Sequence, residues 1–275
     1  MWRSNRYIFQ RPISPLHFTR SSHSNPLRSL DNVKRIVFVS AGKGGVGKSS
    51  VTANLAVALR NRDLNVGILD SDIFGPNIPK LMGLSGQPRI NANKKLVPLM
   101  NHGVQTMSMG YLVPETAAVV WRGLMVQKAL QQLLFDVEWR DLDVLLVDTP
   151  PGTGDVQITL GQQLKVDGAV IVTTSQDLAL SDVRRGLTMF EKIRIPILGV
   201  VENMSVFTCP KCHHEEHIFG ESEELKSLQQ QGVALLGRIP LSREMCGSML
   251  PATDQHSQTG PVFEAIATEV LKKIS

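Results

Sequence analysis

The sequence predicts an α/β protein with a doubly wound, mostly parallel sheet. Six short apolar runs of strand length alternate along the chain with six longer segments in which apolar residues recur at helical spacing. Each helix therefore crosses from one strand to the next, and ligands of such sheets bind where the strands end. The predicted strands are 35–40, 66–69, 143–147, 168–173, 197–202 and 233–236, and the predicted helices are 48–61, 122–135, 155–164, 179–193, 221–231 and 261–273.

The chain divides into a leader, residues 1–32, and one folded domain, residues 33–275. The first 30 residues contain five arginines, many serines and no acidic residue. This composition is typical of a mitochondrial transit peptide and predicts a protein of the mitochondrial matrix. A tail without a targeting role is the alternative.

The folded domain gives no sign of a nucleic-acid partner or of a membrane span. Without the five leader arginines, 24 basic residues face 25 acidic ones, so the domain offers no basic surface for nucleic acid. No apolar run reaches the roughly 18 residues of a membrane-spanning helix. Residues 83–114 are rich in glycine, proline and asparagine and lack a clear period, which predicts a long connection with at most a small hairpin.

Residues 42–49 read Gly-Lys-Gly-Gly-Val-Gly-Lys-Ser and fit the phosphate-loop pattern G-x-x-x-x-G-K-[ST]. In this pattern backbone amides cradle phosphate oxygens, the lysine at Lys48 neutralises phosphate charge, and the hydroxyl at Ser49 binds Mg²⁺. A strand-like run precedes the loop and a helical pattern follows it, which is the context that the motif requires. The predicted nucleotide-binding residues here are Gly42, Lys43, Gly44, Gly45, Val46, Gly47, Lys48, Ser49 and Ser50.

Two further apolar runs end in carboxylates. Asp70 and Asp72 follow the run at Gly67, and Asp148 ends the run that begins at Asp143. Carboxylates beside a phosphate loop hold Mg²⁺ or orient an attacking water. We therefore expect Asp148 to bind Mg²⁺ with Ser49, and Asp70 and Asp72 to lie at the nucleotide. A simple turn entry is the alternative for the pair, because aspartate is a favoured turn residue.

The segment Pro-Pro-Gly-Thr-Gly follows Asp148 and predicts a loop that responds to the γ-phosphate. Gly152 is the expected phosphate contact. Asp155 is expected to cap a helix that begins at Val156. The guanine-specific pattern N-K-x-D is not matched, since its nearest string, at 93–96, ends in leucine. Adenine is therefore the predicted base.

Cys209 and Cys212 form a C-x-x-C pair, a spacing that chelates a soft metal or an iron–sulfur cluster. Two thiolates do not complete a four-ligand site. The remaining ligands come from nearby histidines as in a zinc site, or from the same pair of a second subunit; a redox dithiol is a third alternative. Cys246 stands apart and is expected to be a buried structural thiol. The histidines in question are His213, His214 and His217.

Over residues 34–240 the chain resembles the Mrp/ApbC-type P-loop ATPases of the deviant Walker A, MinD-like class. The resemblance rests on Lys43 within K-G-G-x-x-G-K-[ST], on the block from Asp70 to Pro79, on Pro-Pro-Gly-Thr-Gly-Asp, and on the segment from Asn203 to Cys212. It implies that Lys43 reaches the nucleotide of a partner subunit in a homodimer and that Asp72 is the catalytic base. It also implies that Asn203 bonds the base. A turn asparagine is the alternative for Asn203.

Within that family the chain is most similar to mitochondrial iron–sulfur proteins required for the assembly of respiratory complex I. The resemblance implies a weak ATPase that binds ATP and Mg²⁺ and holds a [4Fe–4S] cluster across the homodimer through residues 203–217. It further implies delivery of the cluster to apoproteins such as complex I subunits. After Leu241 the family's R-E-x-x-D-x-G-x-P segment is hard to trace, which leaves the last crossover undefined.

Two rival functions share this fold. A MinD- or ParA-like positioning ATPase with a structural zinc site would use a C-terminal amphipathic helix for peripheral membrane contact, and a reductase resembling the nitrogenase iron protein would also bridge a cluster. The C-x-x-C spacing disfavours the reductase. A core-packed crossover helix explains the C-terminal stripe with fewer assumptions. The stripe consists of Phe263, Ile266, Val270 and Ile274.

Overall fold

Ten strands and seven helices are seen in the computed structural model, which describes residues 27–112, 123–220, 223–246 and 250–275. The strands are β1 (Val33–Ala41), β2 (Val66–Asp70), β3 (Leu99–Asn101), β4 (Val104–Ser108), β5 (Leu142–Asp148), β6 (Gly168–Thr173), β7 (Ile197–Glu202), β8 (Phe207–Thr208), β9 (Glu215–Glu216) and β10 (Leu235–Arg238). The helices are α1 (Lys48–Arg60), α2 (Ile78–Leu81), α3 (Gly123–Phe135), α4 (Asp155–Gln163), α5 (Asp177–Lys192), α6 (Glu223–Gln230) and α7 (Gly260–Ile274).

Eight of these strands form one sheet in the order β10-β7-β6-β1-β5-β2-β4-β3. Every neighbouring pair is parallel except β3 and β4. Helices α1, α2 and α7 pack in the hydrophobic core on one face, and α3 to α6 pack on the other. The doubly wound, mostly parallel fold predicted from the sequence is confirmed. The carboxyl ends of β1, β2, β5, β6 and β7 therefore meet at one edge of the sheet.

Strand β4 corrects the prediction for residues 83–114. The expected hairpin is present as β3 and β4, but β4 also pairs in parallel with β2 and is a member of the central sheet. Strand β4 contains several polar residues, so it lacks the apolar run by which the other strands of the sheet were predicted. Gln105 donates to Arg140 O at 2.9 Å, and the Thr106 hydroxyl lies 2.9 Å from the Tyr111 hydroxyl, so these groups are buried with partners.

The folded body reaches past the predicted leader boundary at residue 32. The Arg28 amide donates to Gln163 O at 2.8 Å, and the Lys165 amide donates to Arg28 O at 3.0 Å. Leu30 is buried in the core. Residues 27–32 thus belong to the domain, whereas residues 1–26 lie outside the described residues and the transit peptide stays a prediction.

Helix α4 begins at Asp155, as in the predicted range 155–164, and not at Val156 as the capping interpretation required. Asp155 is its first helical residue and Gly154 precedes it as N-cap, without a side-chain capping bond. The prediction that Asp155 caps the helix is wrong. Its carboxylate lies in the first turn, where the positive end of the helix dipole stabilises a negative charge.

Helix α7 defines the last crossover, which the sequence left open. All four residues of the C-terminal stripe are buried, against α1 and β10 among other elements. The core-packed interpretation of the stripe is confirmed. Across the part of the chain that the structure describes, no helix has the length and apolar character needed to cross a membrane.

We expect Phe263→Ala to lower the free energy of unfolding by about 3–5 kcal/mol, because it removes a fully buried ring and leaves a cavity. Urea unfolding followed by circular dichroism measures the change, with Lys273→Ala on the exposed side of α7 as control. A variant as stable as the control would show that the stripe is not packed in the core.

Candidate nucleotide and cluster site

A cavity of about 780 Å³ opens at the edge of the sheet where the parallel strands end. It is formed by the loop between β1 and α1, the segment after β2, the loop after β5 and a turn near the C-terminus. Its volume suits a ligand of nucleotide size. Its lining residues are Lys43, Gly44, Gly45, Val46, Gly47, Lys48, Ser49, Ser50, Asp72, Gly75, Asn77, Lys80, Leu81, Pro151, Met245 and Cys246.

The phosphate loop has the backbone that its glycines predict. Gly45 and Gly47 have φ angles of 82° and 81°, in the left-handed region that favours glycine. Gly47 is the N-cap of α1 and provides no side chain to cap it. The first amides of α1 therefore remain available to an anion, as at other helix N-termini that bind phosphate.

Asp148 ties this loop to the centre of the sheet. Its carboxylate is fully buried and contacts the Lys48 ammonium at 2.6 Å, the Ser49 hydroxyl at 2.6 Å and the Thr52 hydroxyl at 2.8 Å. The two predicted Mg²⁺ ligands, Asp148 and Ser49, are thus joined by a direct hydrogen bond, and their binding of the ion stays a prediction. Hydroxyl and carboxylate oxygens are the ligands that Mg²⁺ prefers, so the donor set fits this ion.

Asp70 and Asp72 have different surroundings. Asp70 is fully buried and accepts hydrogen bonds from the Ser108 hydroxyl at 3.0 Å and from the amides of Asp72 and Ile78. Burial, and after it the charge of Asp148, raises the pKa of Asp70 to about 8. Asp70 supports the cavity wall without lining it, so its direct contact with a nucleotide stays a prediction.

Asp72 lines the cavity, as predicted for a residue that orients water. The strand ends at Asp70, so the two carboxylates do not share a strand face; the chain turns, and Asp72 accepts the Gly75 amide at 3.2 Å. Burial raises the pKa of Asp72, and the Lys48 ammonium opposes that rise. A higher pKa makes the carboxylate a stronger base, which suits a general base.

Lys43 and Gly152 each bond a protein group in this structure. The Lys43 ammonium donates to the Gln176 side chain at 2.9 Å, at the start of α5, and remains at the rim of the cavity. The Gly152 amide donates to Ala41 O at 2.9 Å. This bond has to break before Gly152 contacts a phosphate, so the predicted contact requires movement of the loop.

Asn203 lies directly behind the phosphate loop at the end of β7. Its side-chain amide donates to Val46 O at 2.8 Å, and a Cβ placed on Gly47 would come within 2.3 Å of the same nitrogen. The side-chain oxygen of Asn203 is buried and has no hydrogen-bond partner among the described residues. Asn203 therefore holds the loop with its nitrogen and keeps an acceptor for another group.

Cys209 and Cys212 lie in the turn of a small hairpin made by β8 and β9. The Cys209 amide donates to His214 O at 2.9 Å, and the His213 amide donates to Cys209 O at 2.9 Å. Hydrogen bonds from Cys212 and from the Lys211 amide lower the pKa of the Cys209 thiol. A thiolate is the form that binds metal, so the turn prepares Cys209 as a ligand.

The histidines near this pair do not complete a metal site within one chain. His214 lies 3.3 Å from a Glu216 oxygen, and His217 lies 3.2 Å from Ser205 O. In the described ranges, no three residues among His, Cys, Asp and Glu come together as metal ligands. Within these ranges the cysteine pair stands without a third ligand, and the predicted zinc site with the hairpin histidines is not formed there.

Cys246 is exposed and lines the nucleotide cavity, so the prediction of a buried thiol is wrong. The reason lies in the segment after Leu241. Glu244 accepts hydrogen bonds from Ser257 and Thr259 just before α7, and this clamp turns the neighbouring Met245 and Cys246 towards the phosphate loop. No local pattern predicts this part of the cavity wall, because the partners of Glu244 lie 13 and 15 residues further along the chain.

Comparison with known proteins agrees with this geometry. The model of the family described as ParA, NUBPL iron-transfer P-loop NTPase, matches residues 32–271. The iron–sulfur cluster transfer protein NUBPL of Mus musculus is 45% identical over 254 residues, covering 90% of this chain and 80% of the mouse protein. The iron–sulfur protein required for NADH dehydrogenase of Arabidopsis thaliana mitochondria is 52% identical over 213 residues, covering 77% and 68%.

Among solved structures, a nucleotide-binding protein from Archaeoglobus fulgidus in complex with ADP is similar throughout the domain. The two chains are 34% identical with a TM-score of 0.69, over 87% of this chain and 89% of the other.

We expect Gly47→Ala to weaken ATP binding about tenfold or more, since a Cβ at Gly47 meets the Asn203 amide and the loop loses its left-handed turn. Isothermal titration calorimetry measures the affinity. Gly44→Ala is the matched comparison, because a Cβ there meets no atom within 4 Å, and it should lose less. Equal losses would show that contact with Asn203 does not shape the loop.

Proposed function

Since the chain belongs to the NUBPL iron-transfer P-loop NTPase family, we propose that it is an ATP-dependent carrier of iron–sulfur clusters. It binds a [4Fe–4S] cluster as cargo between the cysteine hairpins of two chains and delivers it to apoproteins. The observation that carries the proposal is the surface turn that holds Cys209 and Cys212 together, with no third His, Cys, Asp or Glu beside the pair among the described residues.

The nucleotide is ATP with Mg²⁺. The amides of the phosphate loop and Lys48 bind the phosphates, Ser49 and Asp148 hold the ion, and Gly152 senses the γ-phosphate. The free acceptor of Asn203 suits the exocyclic amine of adenine, whereas guanine presents an oxygen at the equivalent position. Because Asn203 is buried behind the phosphate loop and does not line the cavity, this contact requires the loop to move. These groups support ATP as the nucleotide.

Hydrolysis is slow in this proposal, and Asp72 orients the attacking water. The nucleotide acts chiefly as a conformational ligand that changes the balance between arrangements that hold and release the cluster. Such an effect requires different nucleotide affinities for the two arrangements. Asp72 is suited to its role because it lies in the cavity with a raised pKa.

The working form is a homodimer. One chain provides two thiolates, whereas a [4Fe–4S] cluster takes four cysteine ligands, so two identical turns related by a twofold axis complete the set. Lys43 supports the same arrangement, because its ammonium lies at the rim of the cavity and can extend to a neighbouring chain.

The proposed recipients are iron–sulfur apoproteins of mitochondria, among them complex I subunits. Support comes from the Arabidopsis relative, whose name ties it to NADH dehydrogenase in mitochondria. The matrix is the proposed compartment, in agreement with the leader composition. The positioning-ATPase alternative loses its membrane element, since the stripe of α7 is buried in the core.

Anaerobic reconstitution with iron and sulfide tests the carrier function. We expect about four irons per dimer, lost in Cys209→Ala and in Cys212→Ala. Cys246→Ala and a triple alanine variant of the three hairpin histidines should retain the iron. Mössbauer spectroscopy identifies the cluster, and metal analysis counts it. One tightly bound zinc per chain, with only trace iron, would contradict the carrier function.

Two lysine variants test the role of the dimer in nucleotide binding. Lys48→Ala should lose ATP affinity, because the cation beside the phosphates is removed. Lys43→Ala should keep most of its affinity but lose ATP-dependent dimerisation and turnover. Calorimetry and analytical ultracentrifugation measure both properties. Identical behaviour of the two variants would rule out separate roles for the lysines.

A further inference from the structure

Residues 202–206, here called the bridge segment, touch both the nucleotide site and the cysteine hairpin. Asn203 bonds Val46 O of the phosphate loop, and the next residue but one, Ser205, offers its carbonyl to His217 at 3.2 Å. His217 follows β9, the return strand of the hairpin that carries Cys209 and Cys212. The two sites are therefore joined through three consecutive residues.

The bridge segment is held too firmly to absorb a movement locally. The Ser205 amide and hydroxyl both donate to Ile239 O, at 3.0 and 3.1 Å, and the Leu241 amide donates to Val206 O at 2.8 Å. Ser205 is only 3% exposed. A shift of Asn203 with the phosphate loop is thus passed to Ser205 as a displacement of a packed unit.

Glu202, the first residue of the bridge segment, is also held in place by side-chain contacts. The Glu202 carboxylate is buried at the end of β7 and binds the Ser175 hydroxyl at 2.7 Å and the Arg238 guanidinium at 2.8 Å. These contacts tie the segment to β6 and β10. Met204, between the two functional contacts, has a φ of 55°, an uncommon value for a residue with a side chain.

The hydrogen bond between His217 and Ser205 O is a contact between the hairpin and the bridge segment that a single substitution can remove. Because Ser205 O accepts only, the Nδ1 atom of His217 must carry the proton and donate it. The hairpin's own backbone bonds, between Cys209 and the two histidines after Cys212, do not depend on the His217 side chain. Loss of the imidazole should therefore remove the hydrogen bond between the return strand of the hairpin and the bridge segment, while the chain connection from Val206 to Phe207 and the turn itself stay intact.

We propose that His217 is a positioning residue that couples nucleotide binding at the phosphate loop to the arrangement of Cys209 and Cys212. The inference rests on the proposed carrier function, because the coupling lets ATP alter how the cysteine pair holds the cluster. By linkage, the state of the cysteine pair alters nucleotide affinity by the same factor.

The test uses the protein without cluster and compares alkylation rates of its three cysteines by iodoacetamide, with and without saturating Mg-ADP. Mass spectrometry resolves the peptides. Cys246 lines the nucleotide cavity, so its protection reports nucleotide binding in the same sample. In the wild-type protein we expect Mg-ADP to change the rates of Cys209 and Cys212 by about fivefold or more.

In His217→Ala the nucleotide effect on Cys209 and Cys212 should disappear, while protection of Cys246 persists. His217→Asn should restore the effect, because its amide nitrogen takes the place of Nδ1. His214→Ala is the matched control and should behave as wild type, since its ring pairs with Glu216 and not with the bridge segment.

Three results would overturn the inference. These are a nucleotide effect that survives in His217→Ala, hairpin cysteines of the wild type that ignore Mg-ADP while Cys246 is protected, and loss of Cys246 protection in His217→Ala. Iron binding is measured separately. If the wild-type protein couples its two sites but takes up no iron, the carrier function is refuted and the inference stands. If it takes up iron but nucleotide leaves the hairpin cysteines unaffected, the inference is refuted and the carrier function stands.

Discussion

The buried carboxylate of Asp148 is the constraint on which the rest of the site depends. It ends β5, next to β1 and β2 at the centre of the sheet, and binds Lys48, Ser49 and Thr52 of the phosphate loop and α1. A buried charge is tolerated only when it is paired and hydrogen-bonded. These contacts hold the phosphate loop against the end of β5. Ser71 is also held at Asp148, since its amide and hydroxyl both donate to the backbone carbonyl oxygen of Asp148.

The nucleotide cavity and the segment that leads to the cysteine hairpin both lie at the edge of the sheet where the parallel strands end. The ends of β1, β2 and β5 build the nucleotide cavity, and the end of β7 leads within a few residues to the cysteine hairpin. Asn203 belongs to both regions, since it bonds the phosphate loop and begins the path to the cysteines. An energy-dependent carrier needs this proximity, because a ligand at one site changes another only through a shared element with two arrangements.

The sequence predicted those features that depend on residues close together in the chain. The strand periods, the phosphate loop and the aspartate after an apolar run each follow from short-range rules, and the structure places them as expected. The membership of β4 in the central sheet was not predicted, because its polar side chains are buried against distant partners such as Arg140 O and Asp70, which no sequence period reveals. Cys246 was misjudged for a similar reason: its exposure depends on the clamp between Glu244 and the residues before α7.

Native mass spectrometry of the anaerobically reconstituted protein tests the central claim most directly, because it counts chains and metal in one particle. The account predicts an ion of two chains with a single four-iron, four-sulfide cluster, which separates into metal-free single chains when the cluster is oxidised and lost in the absence of ATP. A single chain that retains its own metal, or a dimer whose mass shows no cluster, would contradict it.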